Sequence, residues 1–238
     1  MPARLYVTSL STPSKTAGAM LAHKGLRHRR VNLLSGFHPL LVRAAGFPGW
    51  TVPALELPDG RQVQGSLAIS RALDETIAER PLFPRDPGAR RAVEDAERWG
   101  HDELQPVPRR IFRRAAVQDP ALRRWVAAEV AEVPAPGVAA ALTKPLAARL
   151  SAKVGDDEAL IRSDVERLPA LLDRVDELIA AGTIGGSEPN AADFQIFANV
   201  RVLLDFKALP SNEHRPAARQ ARRFFPFWEG DMPRFEIP

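Results

Sequence analysis

Thr51-Val52-Pro53-Ala54-Leu55-Glu56-Leu57-Pro58-Asp59-Gly60-Arg61-Gln62-Val63-Gln64-Gly65-Ser66-Leu67-Ala68-Ile69 decides how the chain is read. An apolar strand entered through a proline runs to Leu57, Pro58-Asp59-Gly60 supplies turn chemistry, and Arg61 to Gln64 returns as the second arm of a hairpin. Ser66 stands where a helix cap belongs. Beyond it Ile69, Leu73 and Ile77 recur every four residues, the spacing of a helix that lays one face on a sheet. A proline inside an apolar strand forfeits a ladder donor, so Val52 and Pro53 call for an explanation beyond strand entry.

Upstream, Arg4 to Leu10 alternates as a strand and Ser11-Thr12-Pro13-Ser14 opens a helix that runs to about Lys24 and stops at Gly25. His28 to Leu34 is a second strand, Gly36 to Ala45 a loop with one helical stretch, and Phe47-Pro48-Gly49-Trp50 a turn. The order strand, helix, strand, helix, strand, strand, helix makes an α/β domain of residues 1–80.

Pro81 to Gly88 is a Pro-rich linker, and residues 89–238 form an all-helical domain. Its first helix spans about Ala89 to Ala116, followed by Pro120 to Val133 and Val138 to Lys153, with Pro134-Ala135-Pro136-Gly137 between them. Leu160 to Ala181 comes next, with Val165, Leu168, Leu172, Val175 and Ile179 on one face, Gly182 as stop and a kink or fresh start expected at Pro169. Asn190-Ala191-Ala192-Asp193 opens the apolar helix through Leu203 that reads as the buried centre.

The 238 residues are 45% apolar, enough for one large or two small cores. The chain has no cysteine, which excludes disulfides, thiolate metal sites and attack by an enzyme thiol. The five histidines, at 23, 28, 38, 101 and 214, lack ligand spacing, so no metal is expected. No apolar run approaches the roughly 20 residues of a membrane span, and the start enters a strand at once; a cytoplasmic protein without membrane contact is expected. The pI near 9.9 accompanies a net charge of only +4. The clusters Arg109 to Arg114 and Arg219 to Arg223 therefore read as helix faces pairing with carboxylates, not as a nucleic-acid surface. Gly182 to Gly186 follows a helix, not a strand, and is a connector.

The order of elements and four local motifs, over about residues 4–206, resemble the glutathione S-transferases. Ser11-Thr12-Pro13-Ser14 is similar to the Ser/Cys-type active-site loop, which implies Ser11 as catalytic residue with Ser14 as the alternative. Ser11 also reads as a helix cap. Thr51-Val52-Pro53 is similar to the family's Val-Pro, implying a cis proline and a Val52 backbone that pairs with glutathione as an added strand. Gly65-Ser66-Leu67-Ala68-Ile69 is similar to Glu/Gln-Ser-x-Ala-Ile, in which the serine and the helix N-terminus receive the γ-glutamyl carboxylate. Here Gly65 replaces the family's Glu or Gln. The fourth motif, Ile184 to Phe194, resembles the capping box before the buried helix of the second domain.

The resemblance implies a thioredoxin-like N-terminal domain, an all-α C-terminal domain, glutathione as cosubstrate, a small electrophile and a homodimer. Trp99, His101 and Phe112 are candidates for the electrophile pocket, with core packing the leading reading for Trp99 and Phe112 and a solvated helix surface for His101. Ser11 would donate a hydrogen bond to the thiolate of glutathione, lowering its pKa from about 8.5 by about one to two pH units. Two rival readings remain open: a non-catalytic binding module of the same fold, and a transferase for another low-molecular-weight thiol, both prompted by Gly65.

Overall fold

Apolar alternation at the start makes β1 (Ala3–Val7), and Ser11 caps α1 (Thr12–His23), whose Pro13 sits in the first turn where no amide partner is lost. In chain order follow β2 (His28–Asn32), α2 (His38–Ala44), β3 (Ala54–Glu56), β4 (Gln62–Gln64), α3 (Ser66–Thr76), α4 (Pro87–Trp99), α5 (Pro106–Gln118) and α6 (Pro120–Trp125). The chain continues with α7 (Lys144–Ala152), α8 (Glu158–Ala180), α9 (Ala191–Leu204) and α10 (Pro216–Phe224). The computed structural model describes residues 2–34, 36–130, 143–153, 155, 157–226 and 232–237; the expected break at Pro134–Gly137 lies outside them. Among the described residues no helix is long and apolar enough to cross a membrane. The chain divides into Met1–Gly100 with Leu178–Ala198, and His101–Glu177 with Asn199–Pro238.

In the first unit the sheet order is β2-β1-β3-β4, with β1 parallel to β2 and antiparallel to β3. This mixed four-stranded sheet with its helices is the thioredoxin-like arrangement expected. The strands are shorter than the sequence suggests: Ser11 N–H bonds back to Thr8 O at 3.1 Å, turning Thr8–Leu10 out of the ladder, and Leu34 O already accepts Phe37 N–H at the entry to α2. Tyr6 and Phe47 meet edge to face at 5.3 Å and share a core cluster with Val42 of α2 and Ala54 of β3.

Helix α3 ends on a buried cation. The Lys24 side chain is fully buried, and its Nζ donates to Asp74 Oδ1 at 3.1 Å, Ile77 O at 2.7 Å and Glu79 O at 3.2 Å. It thereby satisfies the carbonyl of Ile77, the cap residue of α3, and that of Glu79 just beyond it. Asp74 also accepts Leu82 N–H at 2.7 Å, and Leu82 O accepts Ala191 N–H at 2.9 Å. Leu82 and Phe83 are therefore packed: both are buried, and the guanidiniums of Arg71 and Arg90 lie 4.6 and 4.9 Å from the Phe83 ring.

The single helix expected over 89–116 is instead α4 and α5 joined through a π-helical turn, Gly100–Leu104. Pro106 and Pro108 have no N–H to offer the carbonyls of Asp102 and Leu104, so the regular ladder cannot continue there. A Cβ at Gly100 would stand 2.7 Å from Ile196 Cγ1 of α9, which explains the residue at the turn. Residues 191–200 of α9 are buried throughout. Asn190 Oδ1 accepts the N–H groups of Ala192 and Asp193, and Asp193 Oδ2 accepts Asn190 N–H at 2.8 Å, the capping box read from the sequence.

In the second unit α8 runs unbroken through Pro169, where a kink or restart was expected; Pro169 is exposed and costs one carbonyl on the solvent side its partner. Arg110 grips the buried Asp164 with two bonds of 2.5 and 2.7 Å, and Arg114 meets Glu158 at 3.1 Å. In the second cluster Arg222 pairs with Glu213. Arg109 and Arg113 are not simply solvated, since burial and neighbouring guanidiniums lower both, Arg113 to about 10.

Replacing Lys24 with Met keeps the stem and removes the charge, leaving the carbonyls of Ile77 and Glu79 and the Asp74 carboxylate each one partner short. We expect a loss of about 2–4 kcal/mol in urea unfolding; an unchanged midpoint would show that Lys24 does not hold α3.

Candidate functional site

Three chain segments converge at one end of the sheet because of its registers. Tyr6 of β1 faces Ala54 of β3, which sets Val52-Pro53 beside the end of β1 from which the Ser11 loop departs. Ala54 also faces Gln64 of β4, and Gly65 N–H donates to Pro53 O at 2.9 Å, so the start of α3 arrives at the same place. The structure thus brings together Ser11, Val52, Pro53, Gly65 and Ser66.

Ser11 caps α1 in an extended conformation and its Oγ accepts Ser14 N–H at 3.3 Å. As acceptor in that bond, the hydroxyl keeps its own proton to donate, and Ser11 is half-buried. Ser14 differs: it is buried, and its Oγ has no hydrogen-bond partner among the described residues. The Val52–Pro53 bond is cis. Neither the N–H nor the C=O of half-buried Val52 is paired among the described residues, so one peptide unit's donor and acceptor stand available beyond the end of β3.

Two details differ from the sequence reading. The residue that caps α3 is Gly65, with φ +92° and ψ 145°, and Ser66 is the first helical residue. The Ser66 hydroxyl is buried and donates to Gln195 Oε1 of α9 at 3.0 Å, so it is committed inside the protein. Gly65 has a physical reason too. Nothing lies within 4 Å of a Cβ built there, but its backbone occupies a region essentially confined to glycine. The neighbouring Gln64 does not substitute for the missing side chain, since it is tied to Gly49 N–H at 2.8 Å and Thr51 O at 2.7 Å.

One turn along α3, Ser70 Oγ donates to Glu97 Oε1 at 2.7 Å and Arg71 bonds Glu97 Oε2. Glu97 is fully buried, and burial raises its carboxyl pKa against the opposing pull of Arg71 and Ser70. This network fastens α4 to α3 behind the site. Gln195 is the residue that sequence reasoning missed; its signal was a lone amide between Phe194 and Ile196 in an apolar helix, where a buried polar group needs a partner.

Among the described residues no hydrogen bond, ion pair or ring contact joins the three electrophile-pocket candidates. Trp99 is half-buried at the end of α4, and Phe112 is half-buried on α5. His101 lies in the π-helical turn with Nδ1 3.5 Å from Gln105 Nε2, and burial lowers its pKa, keeping it neutral at pH 7. Among the described residues no three metal-binding side chains are grouped.

The family model for the glutathione S-transferase N-terminal domain matches residues 11–76. Solved structures share the fold. A glutathione S-transferase from Rhodospirillum rubrum F11 is 20% identical, over 92% of this chain and 85% of that one, with a TM-score of 0.61. FzlA from C. crescentus is 20% identical over 98% of this chain and 96% of its own, at 0.63. A Methylobacterium radiotolerans glutathione S-transferase in complex with glutathione sulfonate is 20% identical over 93% and 89%, at 0.58. A search of curated proteins found no match.

If Gly65 is set by its backbone and not by space, Gly65→Ala will lower stability by about 1–3 kcal/mol. Urea unfolding followed by circular dichroism measures this; a neutral result would show that the turn relaxes freely.

Proposed function

We propose that this chain, a member of the glutathione S-transferase superfamily by its N-terminal domain and its fold, binds glutathione at the Ser11–Val52–Ser66 end of the sheet and activates its thiol for attack on a small electrophile. The observation that carries this is the Ser11 hydroxyl: it accepts Ser14 N–H, which leaves its own proton to donate, at the N-terminus of α1. A hydroxyl is too weak an acid to serve as base, but a hydrogen bond to a thiolate, with the positive end of the helix behind it, favours the charged form.

The unpaired Val52 peptide would bond the backbone of the cysteinyl residue as an added strand. The free N–H groups at the start of α3 would take the γ-glutamyl carboxylate. Since the Ser66 hydroxyl is bonded to Gln195, that carboxylate would be held by backbone amides and the helix dipole. The thiolate attacks the electrophilic carbon, forming a C–S bond as the leaving group departs with its electron pair. No enzyme nucleophile takes part, in keeping with a chain that has no cysteine.

Ser14 is the second choice for the thiol partner because its hydroxyl is enclosed. The reading extends to residues 1–80 and 89–238 as the two domains, a homodimer and a cytoplasmic setting. Gly65, which offers no side chain to a γ-glutamyl group, favours a second reading: another low-molecular-weight thiol, or a ligand held without chemistry.

The test is calorimetric titration of glutathione with a conjugation assay. We expect binding in the micromolar-to-millimolar range, and in Ser11→Ala a kcat lowered about 10–100-fold with little change in affinity. The thiol pKa of the bound state should rise by about one to two pH units. Loss of turnover in Ser14→Ala alone would move the role to Ser14; binding without turnover would favour the binding module; no binding would sink the glutathione reading.

A further inference from the structure

The segment between α2 and β3 has no regular structure, so its peptide groups must find partners one by one. Its first amides bond back into α2, Gly46 N–H to Arg43 O at 3.0 Å and Phe47 N–H to Val42 O at 3.3 Å. Beyond them side chains take over. Arg43 donates to Phe47 O and Pro48 O at 3.2 and 2.6 Å, and Gln62 Nε2 donates to Ala45 O at 3.1 Å. Gln64, two residues along the edge strand β4 and on the same face as Gln62, holds the far end of the segment.

The Gln64 carboxamide is used there as a peptide group would be. Its Oε1 accepts Gly49 N–H at 2.8 Å and its Nε2 donates to Thr51 O at 2.7 Å. Only one orientation of the amide satisfies both contacts. The second bond bears on the site. Thr51 C=O and Val52 N–H belong to one planar trans peptide, in which they point in opposite directions. Holding the oxygen against β4 therefore fixes the direction of the Val52 N–H, the donor that has no partner among the described residues.

Gly49 keeps room for this clamp. A Cβ built on it would stand 2.5 Å from Gln64 Oε1 and 2.9 Å from Gln64 Cδ, while its backbone lies outside the left-handed region that by itself favours glycine. The case is the reverse of Gly65, where space is free and the backbone decides.

We propose that Gln64 is a positioning residue of the glutathione site: through Thr51 it aims the Val52 N–H at the backbone of the thiol ligand. The inference rests on the glutathione reading above and adds to it a residue that governs affinity alone. Neither bond of the Gln64 side chain reaches Ser11, so activation of the thiol is left untouched.

Conjugation kinetics at varied glutathione, with calorimetric titration, test it on the wild type and a set of variants. In Gln64→Ala we expect Kd and KM for glutathione to rise about tenfold while kcat stays within about twofold. Gln64→Glu keeps the acceptor for Gly49 N–H but sets a carboxylate oxygen against Thr51 O, and affinity falls at least as far. Gly49→Ala meets only the end of a flexible side chain, so it displaces Gln64 without moving the main chain. It weakens binding by a similar factor and adds nothing in Gly49→Ala/Gln64→Ala, because both changes open one clamp. Gln62→Ala removes a bond from the same strand to the same segment and is the control, with KM unchanged. Circular dichroism confirms folding of each variant.

A wild type that binds glutathione with Gln64→Ala binding it equally well overturns the inference alone. So do a kcat that falls in step with the rise in KM, an equal loss in Gln62→Ala, which would show general loosening of the segment, and additive losses in the double variant. No binding by the wild type sinks the glutathione reading and this inference with it.

Discussion

The pairing of β1 with β3 positions everything that bears on function. Its register sets Leu5 opposite Leu55 with both fully buried, and a slip of one residue would turn these side chains to the other face of the sheet. Held so, the end of β1 releases the Ser11 loop beside Val52-Pro53, and the short β3–β4 hairpin returns Gly65 and Ser66 to the same end. What gathers there, besides the capped start of α1, is main chain without partners among the described residues: the peptide of Val52 and the first turn of α3. In the proposed reading these are the recognition elements, and only Ser11 contributes a side chain to the chemistry.

Helix α9 makes that arrangement rigid from behind. An all-apolar buried helix would pack in several rotations with similar energy, whereas polar contacts in a dry environment select one. Gln195 meets Ser66, and Thr16 of α1 donates to Phe194 O at 3.3 Å. Gly100 admits Ile196 where any side chain would collide. The two helices whose N-termini form the site are therefore both tied to α9. Its own start is fixed by the Asn190–Asp193 capping box and by Gly185 N–H bonding Asp193 Oδ1 at 2.5 Å.

Local chemistry was legible in the sequence wherever one residue type decides it. Ser11 with Pro13 started α1, Gly25 and Gly182 ended helices at φ of +68° and +71°, and Pro58-Asp59-Gly60 turned the hairpin. The fold followed from the order of these signals. Partners far apart in the chain were not legible. Ser66 reads as a cap because serine favours caps, yet Gly65 takes that place once the backbone must enter α3 with positive φ, and the hydroxyl goes to a glutamine on another helix. Residues 81–88 read as a linker because prolines are frequent there, but Leu82 and Phe83 fill the core beside Lys24 and Arg71. The π-helical turn was hidden for a similar reason: apolar spacing continues through it, while the missing N–H groups of Pro106 and Pro108 and the close approach at Gly100 act on the backbone alone.

Gly65 and Ser66 together bear on what such a site can distinguish. A carboxylate received only by helix amides is recognised by charge and by position along the dipole, with no side chain to test the amino group next to it. Discrimination between thiols would then fall to the length and backbone pattern that fit Val52, and to the reach from there to Ser11. In the proposed reading such a site would accept an extended, peptide-like thiol with a terminal anion and would be tolerant about the residue that carries the anion. The conformation of Gly65 would make that tolerance structural, since a longer side chain there is resisted by the backbone before any contact with ligand is considered.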